Sequence, residues 1–193
     1  MEMRKFAFAV LPLAACALAF GLGLNALNST AADGPQFTPD HMMLRPVHYR
    51  EWIYLSSGLG MSYSAGMDME PEFSNVFVNP GAYSAFLATG VWPDHTALVL
   101  EVRKSQSKGS INKAGRYQGT LEAIEVHVKD SSLPGNWAFF SFSGSDKSAS
   151  AIPHSADCYS CHQQHGAVDT TFVQFYPTLL DIAKSKGTVN QSY

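Results

Sequence analysis

Apolar and polar side chains alternate through the middle of this chain, and the alternation predicts a sheet. From Phe73 to Val78, Val76 and Val78 take one face while Asn75 and Asn79 take the other, the period of two that a strand requires. Thr96 to Arg103 repeats the pattern, with Thr96, Leu98, Leu100 and Val102 set against Ala97, Val99, Glu101 and Arg103. Leu121 to Lys129, with Ile124, Val126 and Val128 on one face, and Asn136 to Phe142, with Trp137 and Phe139 against Ala138, Phe140 and Phe142, are two more strands. A turn around Pro134-Gly135 joins them. Four strands in this order predict a mostly antiparallel meander.

Helical signals flank the sheet. Pro46 to Leu55 opens on a proline at a helix-start position, puts Tyr49, Trp52 and Ile53 on one face and stops before Gly58. Asn79-Pro80 caps a second helix that runs through Tyr83, Phe86 and Leu87 to Gly90. A third helical region, Asp169 to Lys186, must break or restart at Pro177. Between these lie an extended arm from Asp33 to Leu44, a long loop from Ser56 to Glu70 and a lysine- and glycine-rich excursion from Lys104 to Thr120. The predicted fold class is α+β, a single domain dominated by an antiparallel sheet with a few helices.

The N-terminus has a different character. Arg4 and Lys5 precede an uncharged apolar run from Phe6 to Leu24, and small residues at Thr30-Ala31-Ala32 come before Asp33. That is the layout of a secretory signal peptide over residues 1–32, which leaves a domain of residues 33–193 exported to the periplasm. The run is also long enough to span a bilayer as an uncleaved anchor. Leu13-Ala14-Ala15-Cys16 as a lipoprotein box fits less well, because apolar residues continue past Cys16. Removing residues 1–32 moves the formal charge from -3 to -4. A mildly acidic chain without a basic patch is a poor nucleic-acid binder.

Of the three cysteines, the two beyond residue 32 stand together in Cys158-Tyr159-Ser160-Cys161-His162. Two thiols three apart on one helical turn can add across the vinyl groups of a haem, and the adjacent imidazole then reaches the iron from the same face. A redox dithiol gives no reason for the following histidine, and a structural zinc site wants a second tight ligand pair that the chain lacks. The motif therefore reads as covalent attachment of one haem c, with Cys158 and Cys161 as thioether anchors and His162 as axial iron ligand. A short helix that Ser155 caps would carry it. Aromatic residues make up 12% of the chain, enough to wall a flat apolar macrocycle.

A sixth iron ligand is less evident. No methionine follows Met69, so a methionine ligand would have to come from Met42, Met43, Met61, Met67 or Met69. Among histidines, His41, His48, His95 and His165 read as turn or surface residues, and His127, beside Glu125, as part of a solvated strand face. His154, four residues before Cys158, is the one whose chain position keeps it near the haem, as a proton relay or a turn cap. A vacant or weakly held sixth position follows, and an open iron binds diatomic or nitrogenous ligands.

The chain carries Tyr49-Arg50-Glu51-Trp52, Val76-Phe77-Val78-Asn79-Pro80 with Tyr83, Thr89-Gly90, Asp94-His95-Thr96 with Glu101, and Lys129-Asp130-Ser131. Pro134 to Phe140, Cys158 to His162, Asp169, Phe172 and Phe175-Tyr176-Pro177 complete the set. Their combination gives a resemblance to the cytochrome P-460 family. It implies a β-rich periplasmic subunit, usually a homodimer, whose iron binds nitrogen oxides; enzymatic members oxidise hydroxylamine towards nitrous oxide. Those members carry a haem-cross-linking lysine immediately before the strand glutamate that matches Glu101, where this chain has Leu100. Lys104 shares the strand face but lies roughly 13 Å further on. The departure resembles the branch called cytochrome c′-beta, with an ordinary c haem under an apolar, aromatic-capped distal face. Leu100, Phe73, Phe86 and Trp92 are the candidates for that distal pocket. Two readings stay open: binding of NO or CO at the iron, or an oxidoreductase acting on hydroxylamine or NO, for which His154 or Asp157 would supply a proton acceptor. A small electron-transfer cytochrome is the implied redox partner, and a plain electron carrier is a third possibility.

Overall fold

The structure, a computed structural model, describes residues 34–62, 70–191 and 193. The predicted signal peptide and two candidate ligands, Met67 and Met69, lie outside the described residues.

Five antiparallel strands form the main sheet in the order β2-β3-β4-β5-β6. They are β2 (Ile53–Leu59), β3 (Glu72–Val78), β4 (Ala97–Gln106), β5 (Tyr117–Lys129) and β6 (Trp137–Ser143). A separate ribbon pairs β1 (Met43–Leu44) with β7 (Ser148–Ala149). The helices are α1 (Pro80–Thr89), α2 (Asp157–His165) and α3 (Leu180–Lys186). The class is α+β, as the alternation implied, and the meander order holds.

One predicted helix is a strand. After a single 3-10 turn at Tyr49–Glu51, Trp52 adopts an extended backbone (ψ 177°) and Ile53–Leu59 becomes the edge strand β2. Tyr49 and Trp52 are three apart and do share a face, but one turn satisfies that spacing. The aromatic and branched residues that follow favour pairing with β3, in the register Ile53↔Val78. The expected loop from Ser56 is therefore part strand. The Lys104 to Thr120 excursion shrinks as well, because β4 and β5 extend into it.

Each face of the sheet has its own core. Cross-strand rows Asn75↔Glu101↔Ile124↔Phe142 and Phe77↔Val99↔Val126↔Phe140 form one face, and Met43, Tyr49 and Trp52 cover it. Rows Val78↔Leu98↔His127↔Phe139 and Val76↔Leu100↔Glu125↔Ser141 form the other. Against that second face pack Phe86, Trp92, Ala167, Val173, Tyr176, Leu179 and Ala183. Each fully buried Val, Leu or Phe stabilises the fold by about 1.5–3 kcal/mol.

Helix ends follow local chemistry only in part. Gly90 and Gly187 end α1 and α3 in the left-handed region, where glycine has no Cβ penalty. Asn79 precedes α1 but does not cap it through its side chain; its Oδ1 accepts from the Ala97 amide at 2.9 Å and ties the helix start to β4. Ser155 does not cap α2 either, since the helix begins after Ala156 with no side-chain cap.

Candidate functional site

A cavity of about 490 Å³ opens on the second face of the sheet. Strands β3 and β4 supply Ser74, Val76, Leu98, Leu100 and Val102, and β5 and β6 supply Glu125, His127 and Phe139. Helix α2 contributes Asp157, Cys158, Cys161 and His162, and the segment after it Thr171, Phe172, Phe175 and Tyr176. The size is within the range of cofactor pockets. Cys158 and Cys161 are free thiols, half-buried, and both face this cavity.

The donor set fits a haem. His162 Nδ1 lies 2.7 Å from the Thr170 carbonyl oxygen. A carbonyl only accepts, so Nδ1 carries the proton and Nε2 keeps its lone pair for a metal. Burial lowers the pKa of this imidazole, an effect the Thr170 bond partly offsets, so it is neutral and ready to ligate near pH 7. Its ring is held by Phe172 (centroids 4.2 Å apart), Phe139 (4.7 Å) and His127 (4.9 Å).

The carbonyl that receives His162 belongs to a tightly held loop, residues 166–171. Asn190 Nδ2 donates to the Gly166 and Asp169 carbonyls at 2.6 and 3.0 Å. Lys129 Nζ bonds Asp169 at 2.8 Å, and Trp92 Nε1 donates to Thr171 Oγ1 at 2.8 Å. A Cβ on Gly166 would lie 2.8 Å from backbone atoms of His162, Thr170 and Thr171, so only glycine lets the chain turn this closely behind α2.

The sequence-predicted site residues divide. Cys158, Cys161, His162 and Leu100 line one cavity. Phe73, Phe86 and Trp92 are not among the residues that line it. Phe73 lies on the opposite face of β3 from Ser74 and Val76, in register with Arg103. Phe86 and Trp92 are fully buried with ring centroids 4.2 Å apart; they are core, and Trp92 also anchors the loop behind His162. His154 is exposed and stacks on Tyr159 at 4.0 Å, outside the cavity lining. Of the methionines, Met43 is fully buried in the other core while Met61 faces the cavity.

Two residues were missed. His127 reads as solvent-facing in sequence but is buried, stacked on Phe139 at 3.9 Å and an interplanar angle of 11°. Desolvation holds its pKa well below the usual imidazole value. Glu125 sits in register with Leu100 and lines the cavity, and desolvation raises its carboxyl pKa. The signal was available: Ala123, Glu125 and His127 share the face of Leu98 and Leu100.

The other face of β4 carries a buried carboxylate. Glu101 accepts from Tyr49 Oη at 2.5 Å, Arg50 Nε at 2.7 Å, Arg103 Nε at 2.6 Å and Asn75 Nδ2 at 3.1 Å. Burial alone would raise its pKa, but these donors outweigh it and hold the carboxyl at about 2. Leu100 and Glu101 therefore project into different worlds, one towards the cavity and the other into a charged brace beneath the sheet.

Comparison with protein families places the chain among known proteins. The family described as Cytochrome P460 matches residues 46–173, which include β2 to β6 and the whole Cys158–His162 motif. The chain belongs to the cytochrome P460 family. Membership implies a mono-haem c-type cytochrome, and haem is the group that the thiols, the oriented imidazole and the aromatic walls of this P460 member suit. A comparison with curated proteins finds no match.

Proposed function

We propose that this cytochrome P460 member is an exported, periplasmic mono-haem protein that captures small neutral ligands at an open iron position, nitric oxide above all. Cys158 and Cys161 would hold the haem as thioethers and His162 would ligate the iron. When bound, the haem supplies an iron with a free axial position for a diatomic or nitrogenous ligand. The chain's own part is to orient His162 through Thr170, to exclude water and to select by charge.

The observation that carries this reading is the cavity wall. Val76, Leu98, Leu100 and Val102 present it with aliphatic surface, and Leu100 occupies the position where enzymatic relatives are expected to carry the cross-linking lysine. The acidic groups on the lining are Glu72, Glu125 and Asp157, and no lysine or arginine faces the cavity among the described residues. Such a lining penalises anions such as nitrite, azide or cyanide and leaves neutral NO and CO unopposed. The test is to titrate the ferrous and ferric protein with NO, CO and azide. Tight NO binding with weak azide binding is expected; azide binding as tight as that of an open aqueous haem would contradict the reading.

Glu125 favours a second reading, oxidation of hydroxylamine towards nitrous oxide. It is a carboxylate in the cavity with a raised pKa, suited to accept a proton from a bound N–H or O–H group. If this reading holds, hydroxylamine-dependent dye reduction is measurable and Glu125→Gln abolishes it. Met61 serves a third reading, a plain electron carrier, which a low-spin spectrum with a methionine-to-iron band would support. A homodimer and a small electron-transfer cytochrome as redox partner complete the proposal.

A further inference from the structure

The axial imidazole is held by a backbone carbonyl, and something must hold that carbonyl. Loop 166–171 is pinned at Gly166, Ala167, Asp169 and Thr171 by Asn190, Lys129 and Trp92. At Thr170 itself, the side-chain Oγ1 lies 3.3 Å from His127 Nε2. His127 is in turn fixed by the sheet: it pairs with Leu98 and Phe139 in register, and its ring lies against Phe139 and Trp137 at 3.9 and 4.3 Å. A phenylalanine would fill that stack without burying a polar atom. Burying imidazole nitrogens costs free energy unless they are bonded, so the polar contact is the feature that sets histidine apart from an apolar residue here.

We infer that His127 is a positioning residue for the axial ligand: through the Thr170 hydroxyl it holds the Thr170 carbonyl on His162 Nδ1. A short Nδ1–H···O=C bond gives the ligand imidazole more anionic character, which strengthens its bond to iron and favours the ferric state. His127 thereby couples the rigid sheet to the donor strength of His162. The inference rests on His162 being the axial ligand, and it goes beyond that reading by assigning what tunes it.

The test uses the full-length holoprotein. His127→Phe keeps the stack on Phe139 and Trp137 but removes the contact to Thr170. The iron–histidine stretching frequency in the ferrous resonance Raman spectrum should fall, and the reduction potential should rise, with the thioether haem retained by mass. Thr170→Val should reproduce both shifts, Thr170→Ser should leave them at the wild-type values, and the double variant should shift no further than either single one. A merely structural role for His127 would not make its effect vanish in the Thr170→Val background. An unmoved band and potential in His127→Phe, or additive shifts in the double variant, overturn the inference while leaving His162 as the ligand. A wild-type ferrous protein that is five-coordinate and high-spin yet shows no iron–histidine band overturns both. Should His127→Phe not fold, Thr170→Val against Thr170→Ser decides alone: a shift in the first only supports the inference, and equal spectra defeat it.

Discussion

Leu100 and Glu101 are neighbours in sequence that meet opposite solvents, and their replacement should have unlike effects. Leu100→Ala removes aliphatic surface from the cavity wall, so CO association followed by flash photolysis should quicken several-fold; an unchanged rate would mean that ligands reach the iron by another path. Glu101→Gln instead gives Arg50, Arg103 and Tyr49 a neutral amide with one acceptor oxygen in place of their shared carboxylate. Breaking a buried pair from one side costs about 3 kcal/mol when the partners still reach water, as Arg50 does here. The pH dependence has a definite sign. The Glu101 carboxyl is held at about 2, below its ordinary value of 4.5, so its stabilisation is present above the ordinary value and is lost as pH falls towards 2. Denaturant melts from pH 5 to 2 should show a steep loss for the native chain and a shallower one for Glu101→Gln.

At the level of elements, α2 delivers the two thiols and His162, while the loop behind it sets how His162 is presented. Gly166→Ala should push His162 away from Thr170, because the new methyl meets backbone on three sides. A loss on the order of 2 kcal/mol or more in thermal or denaturant melts is expected, with an altered ferrous spectrum. Sequence alone placed α2 and its motif because thiol spacing is chemistry as well as pattern. It misplaced β2 because Tyr49 and Trp52 obey a helical spacing that a single 3-10 turn also satisfies. It left His127 and Glu125 on a solvated face for a physical reason: alternation separates apolar from polar sides of a strand and is silent on whether the polar side meets water or a cofactor. Phe86 and Trp92 show the converse. Large aromatics near a predicted pocket are equally good core residues, and a local pattern does not say which side of an apolar layer they join.

For the whole molecule, the sheet has a packed core on one face and, on the other, a core shared with the cavity. Residues 34–193 contain only the two motif cysteines, so no disulfide is left to brace the fold once both are bonded to haem. Filling a cavity of about 490 Å³ with an aromatic macrocycle should therefore contribute strongly to stability. The Cys158→Ala/Cys161→Ala variant, made without covalent haem, should melt well below the native protein; an equal melting temperature would show that the fold does not depend on its cofactor. The most direct measurement is the intact mass of the denatured protein after treatment with a thiol-alkylating reagent. One haem added to the chain, with Cys158 and Cys161 unmodified by the reagent, is the predicted result. Two alkylated cysteines and no added macrocycle would contradict the account.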